Sequence, residues 1–312
     1  MRVVATTSLP IDLAAQVRAA IPGARVEVPP DGWRGLADLD LADADALVCL
    51  LLDRVDAALL ARAPHLRVIA NCAVGVDNID RAAAARAGVI VTNTPDVLTV
   101  ATAELAIALM FAAARRLGEG ERLVRGGGWS GWRLDQLLGV QLAGKTLGVV
   151  GLGRIGTAVA RRGEALGMRV VGARRGEPID PIFAAADVVT LHCPLTPETQ
   201  QLVDARRLGL MRPGGLLVNT ARGACVDELA LADALDAGHL AGAGLDVYAH
   251  EPAIHPRLLA SPRAVLAPHL GSATTEARTQ MAQLCADAVI AVLTGRRPPN
   301  VVEPIPGEVA HG

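Results

Sequence analysis

The chain reads as an α/β protein with two doubly wound parallel-sheet domains, on three observations. Short apolar runs of strand length alternate with Ala-, Leu- and Arg-rich stretches of helical period almost from end to end, the pattern of parallel α/β architecture. The 312 residues correspond to about two domains at roughly 150 residues each. A glycine-rich turn, Gly151-Leu-Gly153-Arg-Ile-Gly156, follows a strand-like run in mid-chain.

Each element follows from local pattern. In the first third, Arg2–Thr6, Arg25–Val28, Ala46–Leu51, Arg67–Asn71 and Val89–Val91 read as strands, with helices near Ile11–Ala20, Arg54–Arg62 and Ile79–Arg86. A long, almost wholly apolar helix from Thr99 to Arg116 predicts burial between two domains, with the first hinge just before it. Gly126 to Trp132 is a loop. A second series then begins, with strands at Thr146–Val150, Arg169–Ala173, Asp187–Leu191, Leu216–Asn219, Ala241–Asp246 and Val265–Leu266. The last long helix, Thr274 to Leu293, is expected to return the chain to the first domain. The expected division is residues 1–98 with 287–312 as one domain and 99–286 as the other.

Composition narrows the function. Thirty Lys and Arg against 32 Asp and Glu give a net charge of −2, and aromatic residues are 2% of the chain. Little is therefore available to attract a phosphate backbone or stack bases, and nucleic acid is not an expected partner. The longest stretch free of acidic and basic residues, Ala264 to Thr275, is far shorter than the roughly 18 residues a membrane span needs. The N-terminus runs directly into a strand-like segment, so a cytoplasmic protein is expected. Cys49, Cys72, Cys193, Cys225 and Cys285 are odd in number, scattered and never in a CxxC pair. Reduced thiols are expected, with neither a disulfide framework nor a bound metal.

The glycine turn carries the first chemical prediction. It follows a strand, opens a helix (Arg154 to Leu166) and lies in a βαβ unit reaching the next strand at Arg169, the context of a Rossmann dinucleotide site. Gly151 permits the tight turn, Gly153 admits a pyrophosphate to the backbone, and Gly156 allows close helix-strand packing. The helix N-terminus that follows offers unpaired N–H groups and a dipole that favour an anion. At the end of the second strand Ala173 runs into Arg174-Arg175, with no Asp or Glu there. A carboxylate would bind a ribose 2′-hydroxyl, whereas two guanidiniums favour a 2′-phosphate. NADP is therefore expected over NAD, with NAD possible.

Further segments lie at predicted strand ends: His192-Cys-Pro-Leu-Thr-Pro-Glu-Thr199, Asn219-Thr-Ala-Arg-Gly-Ala-Cys-Val-Asp-Glu228, Gly244-Leu-Asp-Val-Tyr-Ala-His-Glu-Pro252 and Pro268-His-Leu-Gly-Ser-Ala-Thr274. With Val74-Gly-Val-Asp-Asn-Ile-Asp80 and Asn93-Thr-Pro-Asp-Val-Leu-Thr99, they closely resemble the D-isomer-specific 2-hydroxyacid dehydrogenase family. The likeness runs from about Asn71 to Arg297. It is nearest the glyoxylate/hydroxypyruvate reductase and 2-ketogluconate reductase branch.

The resemblance implies a Rossmann cofactor domain inserted in a flavodoxin-like substrate domain, and a catalytic triad of Arg222, Glu251 and His269. Chemistry independently suits these residues. A 2-oxo acid needs its carboxylate held, which the Arg222 fork does. Its oxygen needs a proton, which an imidazole such as His269 delivers near neutral pH. Glu251 would orient that ring and stabilise its charged form. Closure of an interdomain cleft would exclude water.

The resemblance adds backbone N–H groups of Val74 and Gly75 for the substrate. For the cofactor it adds Leu152, Arg154 and Ile155 in the glycine cradle, Thr102 near the nicotinamide, Cys193, Pro194 and Thr199 at the adenosine end, Thr220, Ala221 and Arg222 by backbone, Asp246 at the carboxamide, and His269 with Gly271. Among the other histidines, His65, His239, His250, His255 and His311 sit in polar surroundings and read as solvated, while His192 is placed near the cofactor. His250 rivals His269 because it adjoins Glu251. Trp129 and Trp132 fall where the family forms part of its dimer contact, so a homodimer is expected.

Two features depart from the family pattern. Gln136 stands where the hydroxypyruvate branch uses a Trp of the neighbouring subunit, which puts that substrate preference in doubt. Only residues 174–186 separate the second and third cofactor-domain strands, near the roughly 10–12-residue minimum of a crossover. A short helix, or a missing strand and an open adenine pocket, is expected. The leading function is NADPH-dependent reduction of small 2-oxo acids such as glyoxylate or hydroxypyruvate. The alternatives are a sibling acting on phosphoglycerate or phosphite, and a dinucleotide-sensing binding protein.

Overall fold

The computed structural model describes residues 1–30 and 32–303; His311 lies outside them. The chain divides into two compact units, Met1–Leu98 with the segment from Thr274 onward, and Thr99–Ala273.

The first unit is built on a fully parallel sheet of β1 (Arg2–Ala5), β2 (Arg25–Glu27), β3 (Ala46–Cys49), β4 (Val68–Asn71) and β5 (Ile90–Thr92), ordered β2-β1-β3-β4-β5. This is the flavodoxin-like doubly wound order. β1, β3 and β4 are buried along their whole length, as strands covered on both faces must be. Helices α1 (Leu13–Ala20), α2 (Ala57–Ala61) and α3 (Arg81–Arg86) begin two to three residues later than their apolar patterns imply. The reason is that Asp12, Asp56 and Asp80 are caps, each carboxylate accepting an N–H of the first turn.

The second unit opens with α4 (Thr99–Ala114) and α5 (Leu117–Arg125). Its parallel sheet comprises β6 (Thr146–Val150), β7 (Arg169–Ala173), β8 (Val188–Leu191), β9 (Gly215–Asn219), β10 (Leu240–Leu245) and β11 (Ala264–Leu266), ordered β11-β10-β9-β8-β6-β7. Helices α6 (Arg154–Ala165), α7 (Asp180–Ala185), α8 (Ala205–Leu210), α9 (Glu228–Asp236) and α10 (Pro256–Ala260) connect the strands. The short crossover after β7 holds only α7 and a turn, so β7 is the edge strand of this sheet.

Two expectations change. The helix from Thr99 stops at Ala114 because Arg116 takes a left-handed conformation (φ 53°), and a separate helix, α5, not expected from the sequence, follows. Within its own unit α4 packs on β9, β10, β11 and α6. The return to the first unit comes at Thr274 rather than residue 287. The last helix, α11 (Thr275–Leu293), packs on β3, β4 and α1. Among the described residues no helix is long and apolar enough to cross a membrane.

Close packing of α4 on β10 depends on a missing side chain. A Cβ on Gly244 would stand 2.9 Å from Leu109 Cβ and 3.0 Å from Leu109 O. Gly244→Val is therefore expected to cost about 1–3 kcal/mol by overpacking, lowering Tm by roughly 2–12 °C in a thermal melt. An unchanged Tm would contradict this packing.

Candidate active site

The glycine turn forms as its spacing implies. Gly151 is left-handed (φ 97°), and a Cβ there would lie 2.8 Å from the His192 carbonyl carbon. The N–H groups of Gly151 and Leu152 both donate to Ala173 O at 3.0 Å, tying the turn to the end of β7. A Cβ on Gly156 would meet Gly151 O at 2.1 Å, so only glycine lets α6 start this close to the turn. Gly153 caps α6 with no side-chain hydrogen bond, and the space beside its Cβ position is open. Leu152 and Ile155 pack half-buried against the apolar core, leaving the helix N-terminus, which Arg154 opens, to face an anion.

Two polar atoms point to a ligand at this end of the sheet. Thr220 Oγ1, just beyond β9, is buried without a hydrogen-bond partner among the described residues, as is His192 Nδ1. His192 Nε2 lies 2.9 Å from Thr190 Oγ1, and burial pushes the ring down to about 3, so it stays neutral. Buried polar atoms normally find partners. An orphan hydroxyl after β9 and an open helix N-terminus after β6, at the same end of one parallel sheet, fit a bound dinucleotide.

At the far side of the cradle, Arg174 Nη1 donates to Leu152 O at 3.3 Å, and the Arg174 N–H donates to Glu177 Oε2 at 2.6 Å. Glu177 is not anticipated, being the fourth residue beyond the strand; the turn glycine before it, Gly176, is left-handed (φ 86°). Glu198 is held below the usual carboxylate range by the Thr196 hydroxyl, helped by the charge of Arg175. Thr199 Oγ1 donates to Pro194 O at 2.7 Å and accepts from Thr196 N at 2.7 Å, fixing the loop that carries Cys193. Cys193 packs against the core cluster that includes Cys225.

Arg222, Glu251 and His269 come together at the exits of β9, β10 and β11. The Asn219 side chain accepts from Ala221 N and donates to Arg222 O, turning the chain just after β9. Gly223 then lies so close to the β10 exit that a Cβ would fall 1.8 Å from the Tyr248 carbonyl carbon. Glu251 uses both oxygens: Oε1 accepts from Tyr248 N at 3.0 Å, and Oε2 lies 2.8 Å from His269 Nδ1. Burial opposes its ionisation, but the His269 hydrogen bond, the Tyr248 N–H and the charges of His269 and Arg222 prevail. Its carboxyl is held below the usual range.

His269 is left-handed (φ 53°), and its N–H donates to Asp246 O at 2.9 Å. The Asp246 carboxylate accepts from Leu270 N at 2.6 Å and Gly271 N at 2.8 Å. Burial nonetheless pushes its pKa up. Thr102 Oγ1 donates to Gly271 O at 2.9 Å, fastening α4 to the same loop. The Tyr248 hydroxyl donates to Ala267 O at 2.9 Å, and burial raises its pKa to about 12.

His250 is exposed, and its backbone pairs with Ala253. His269 is thus the histidine that engages Glu251. His239 and His255 are not simply solvated: His239 Nε2 lies 3.0 Å from Leu208 O, and His255 Nδ1 accepts from Arg257 N at the start of α10. Gln136 lines a cavity of about 520 Å³ with Phe111, Arg115 and Leu166, while Trp129 and Trp132 are exposed.

Val74 and Gly75 belong to the first unit. Thr94 N donates to Ala73 O, and Asn93 Nδ2 donates to Val74 O at 2.8 Å. In planar trans peptides the following N–H groups, those of Val74 and Gly75, point the opposite way.

Comparison with known proteins gives these features a family. Residues 107–271 match the NAD binding domain of D-isomer specific 2-hydroxyacid dehydrogenases. The glyoxylate reductase of Thermococcus litoralis is 46% identical over 293 residues, 88% of each chain. A crystal structure of a Thermus thermophilus protein superposes with a TM-score of 0.89 at 45% identity, covering 97% of this chain and 100% of that one. The NADPH-dependent glyoxylate/hydroxypyruvate reductase of Sinorhizobium meliloti, solved with NADP and malonate, gives 0.82 at 33% identity over 99% of this chain and 97% of its own. The chain belongs to the D-isomer specific 2-hydroxyacid dehydrogenases and is an oxidoreductase that uses a nicotinamide dinucleotide.

Proposed function

We propose that this enzyme is an NADPH-dependent reductase of small 2-oxo acids, glyoxylate or hydroxypyruvate among them, forming D-2-hydroxy acids. The observation that carries the reading is the Glu251–His269 pair at 2.8 Å, with the charge of Arg222 acting on the same carboxylate. The names of the relatives support the substrate class, and Arg174 with Arg175 at the end of β7 supports the 2′-phosphate.

When bound, the dinucleotide supplies the hydride. Arg222 holds the substrate carboxylate and fixes which face of the carbonyl is presented. Glu251 engages Nδ1 of His269, which leaves Nε2 to deliver the proton to the carbonyl oxygen. The assignment of the Val74 and Gly75 N–H groups to a carboxylate rests on the resemblance. For the cofactor, Gly151–Gly156 hold the pyrophosphate, and Ala173 to Arg175, Cys193, Pro194 and Thr199 border the adenosine. Thr102, Thr220, Ala221, Asp246 and Gly271 lie toward the nicotinamide. A cytoplasmic setting suits five cysteines that are all free thiols.

NADPH oxidation across a panel of 2-oxo acids tests this. The wild type is expected to turn over glyoxylate, His250→Ala to keep most of that activity, and His269→Ala to lose about 100-fold or more in kcat. Activity surviving in His269→Ala would overturn the assignment, and no oxidation with any acid would favour dinucleotide sensing.

We also propose a homodimer. Trp129, Trp132, Leu134 and Leu138 are 55–81% exposed within one short segment, an apolar concentration that marks an interaction surface. Light scattering is expected to give about twice the 32.2 kDa chain mass, and Trp132→Asp with Leu134→Asp to give monomer. A monomeric wild type would refute the dimer.

A further inference from the structure

We propose that Glu177 sets the choice between NADH and NADPH, holding the 2′ subsite in a hydroxyl-accepting form that a 2′-phosphate has to displace. The inference rests on the cofactor reading above and adds a residue to it. In a Rossmann unit the ribose 2′ position is read at the end of the second strand, normally by a carboxylate borne there. Here that strand is β7, and its last residue, Ala173, anchors the glycine turn through its carbonyl. The next two residues are arginines, so the strand end reads as cationic in sequence.

The fold returns an acid to the spot. The chain turns at once after β7, since residues 174–186 must hold both the turn and α7. Gly176 supplies the left-handed step (φ 86°). Glu177 N donates to Arg174 O at 3.2 Å while Glu177 Oε2 accepts from Arg174 N at 2.6 Å, closing the turn from both ends. The carboxylate thus occupies the first backbone N–H beyond the strand, beside the Arg174 side chain that reaches Leu152 O in the glycine turn. The charge of the second arginine also acts on an acid, Glu198.

The two cofactors meet different costs at this position. A ribose hydroxyl donates to the Glu177 carboxylate with nothing moved. A 2′-phosphate, approaching the same N–H and the same guanidinium, is repelled by that carboxylate until Glu177 swings out. The two arginines attract the phosphate, Glu177 opposes it, and both cofactors are usable.

The test is direct titration of NADPH and NADH by calorimetry into wild type, Glu177→Gln and the double variant Arg174→Ala/Arg175→Ala. Glu177 is exposed and its replacement by Gln keeps an acceptor oxygen, so the turn survives. Glu177→Gln is expected to lower the Kd for NADPH by about threefold to tenfold and to raise that for NADH. An unchanged ratio of the two Kd values, with NADPH still weakened in the double variant, would overturn the role of Glu177 and leave the NADPH reading standing. NADPH binding unchanged in the double variant would overturn the reading and this inference together.

Discussion

The site depends on one carboxylate used twice. Glu251 Oε2 meets the His269 ring, and Oε1 accepts the N–H of Tyr248, so neither the imidazole nor the acid can rotate independently. Around that pair every backbone segment is fastened by a neighbour. Asp246 holds the loop that carries His269, through its carbonyl to the His269 N–H and through its carboxylate to two further N–H groups. Gly223 lets the Arg222 loop press against the Tyr248 backbone where any side chain would collide. Such mutual fastening would keep the proposed catalytic groups within the tight tolerances that hydride and proton transfer require.

The parallel sheet explains why these residues meet. β6 to β11 all run in one direction, so the glycine turn, the Cys193 loop, Arg222, Asp246 with Glu251, and His269 all leave from the same end of the sheet. Residues far apart in sequence are thereby delivered to one rim, where ligands of open α/β sheets bind. Burial then sharpens their electrostatics. It keeps the His192 ring neutral and pushes the Asp246 carboxyl up, while specific partners keep Glu251 ionised against the same effect.

Much of this was legible in the residues. β6 and β7 have the bounds their apolar runs imply: β6 is buried throughout, while β7, at the sheet edge with Arg169 and Gly172 exposed, is marked by Val170 and Val171. Helix starts were less legible where an Asp cap precedes the first turn, as at Asp12 and Asp56. The break at Arg116 was hidden, since a left-handed arginine leaves no mark in a helical pattern. His269 was separable from His250 by its motif, but only the fold shows the ring of His269 on Glu251. Glu177 is not legible, because a carboxylate at this position is expected on the strand end itself. The structure supplies one through a turn, four residues past Ala173.

The central claim is that an ionised Glu251 holds His269 ready to give its proton. The pH dependence of kcat/KM for glyoxylate reduction, in wild type and Glu251→Gln, tests it most directly. Because the Glu251 carboxyl titrates below its usual range, its contribution is complete above that range and is lost only as pH falls through the lowered value. The wild type is expected to hold its rate below the ordinary glutamate pKa of about 4.3 wherever it stays folded, and Glu251→Gln to be slower by about 100-fold or more across the profile. A Glu251→Gln enzyme with wild-type kcat/KM and an unchanged profile would contradict the account.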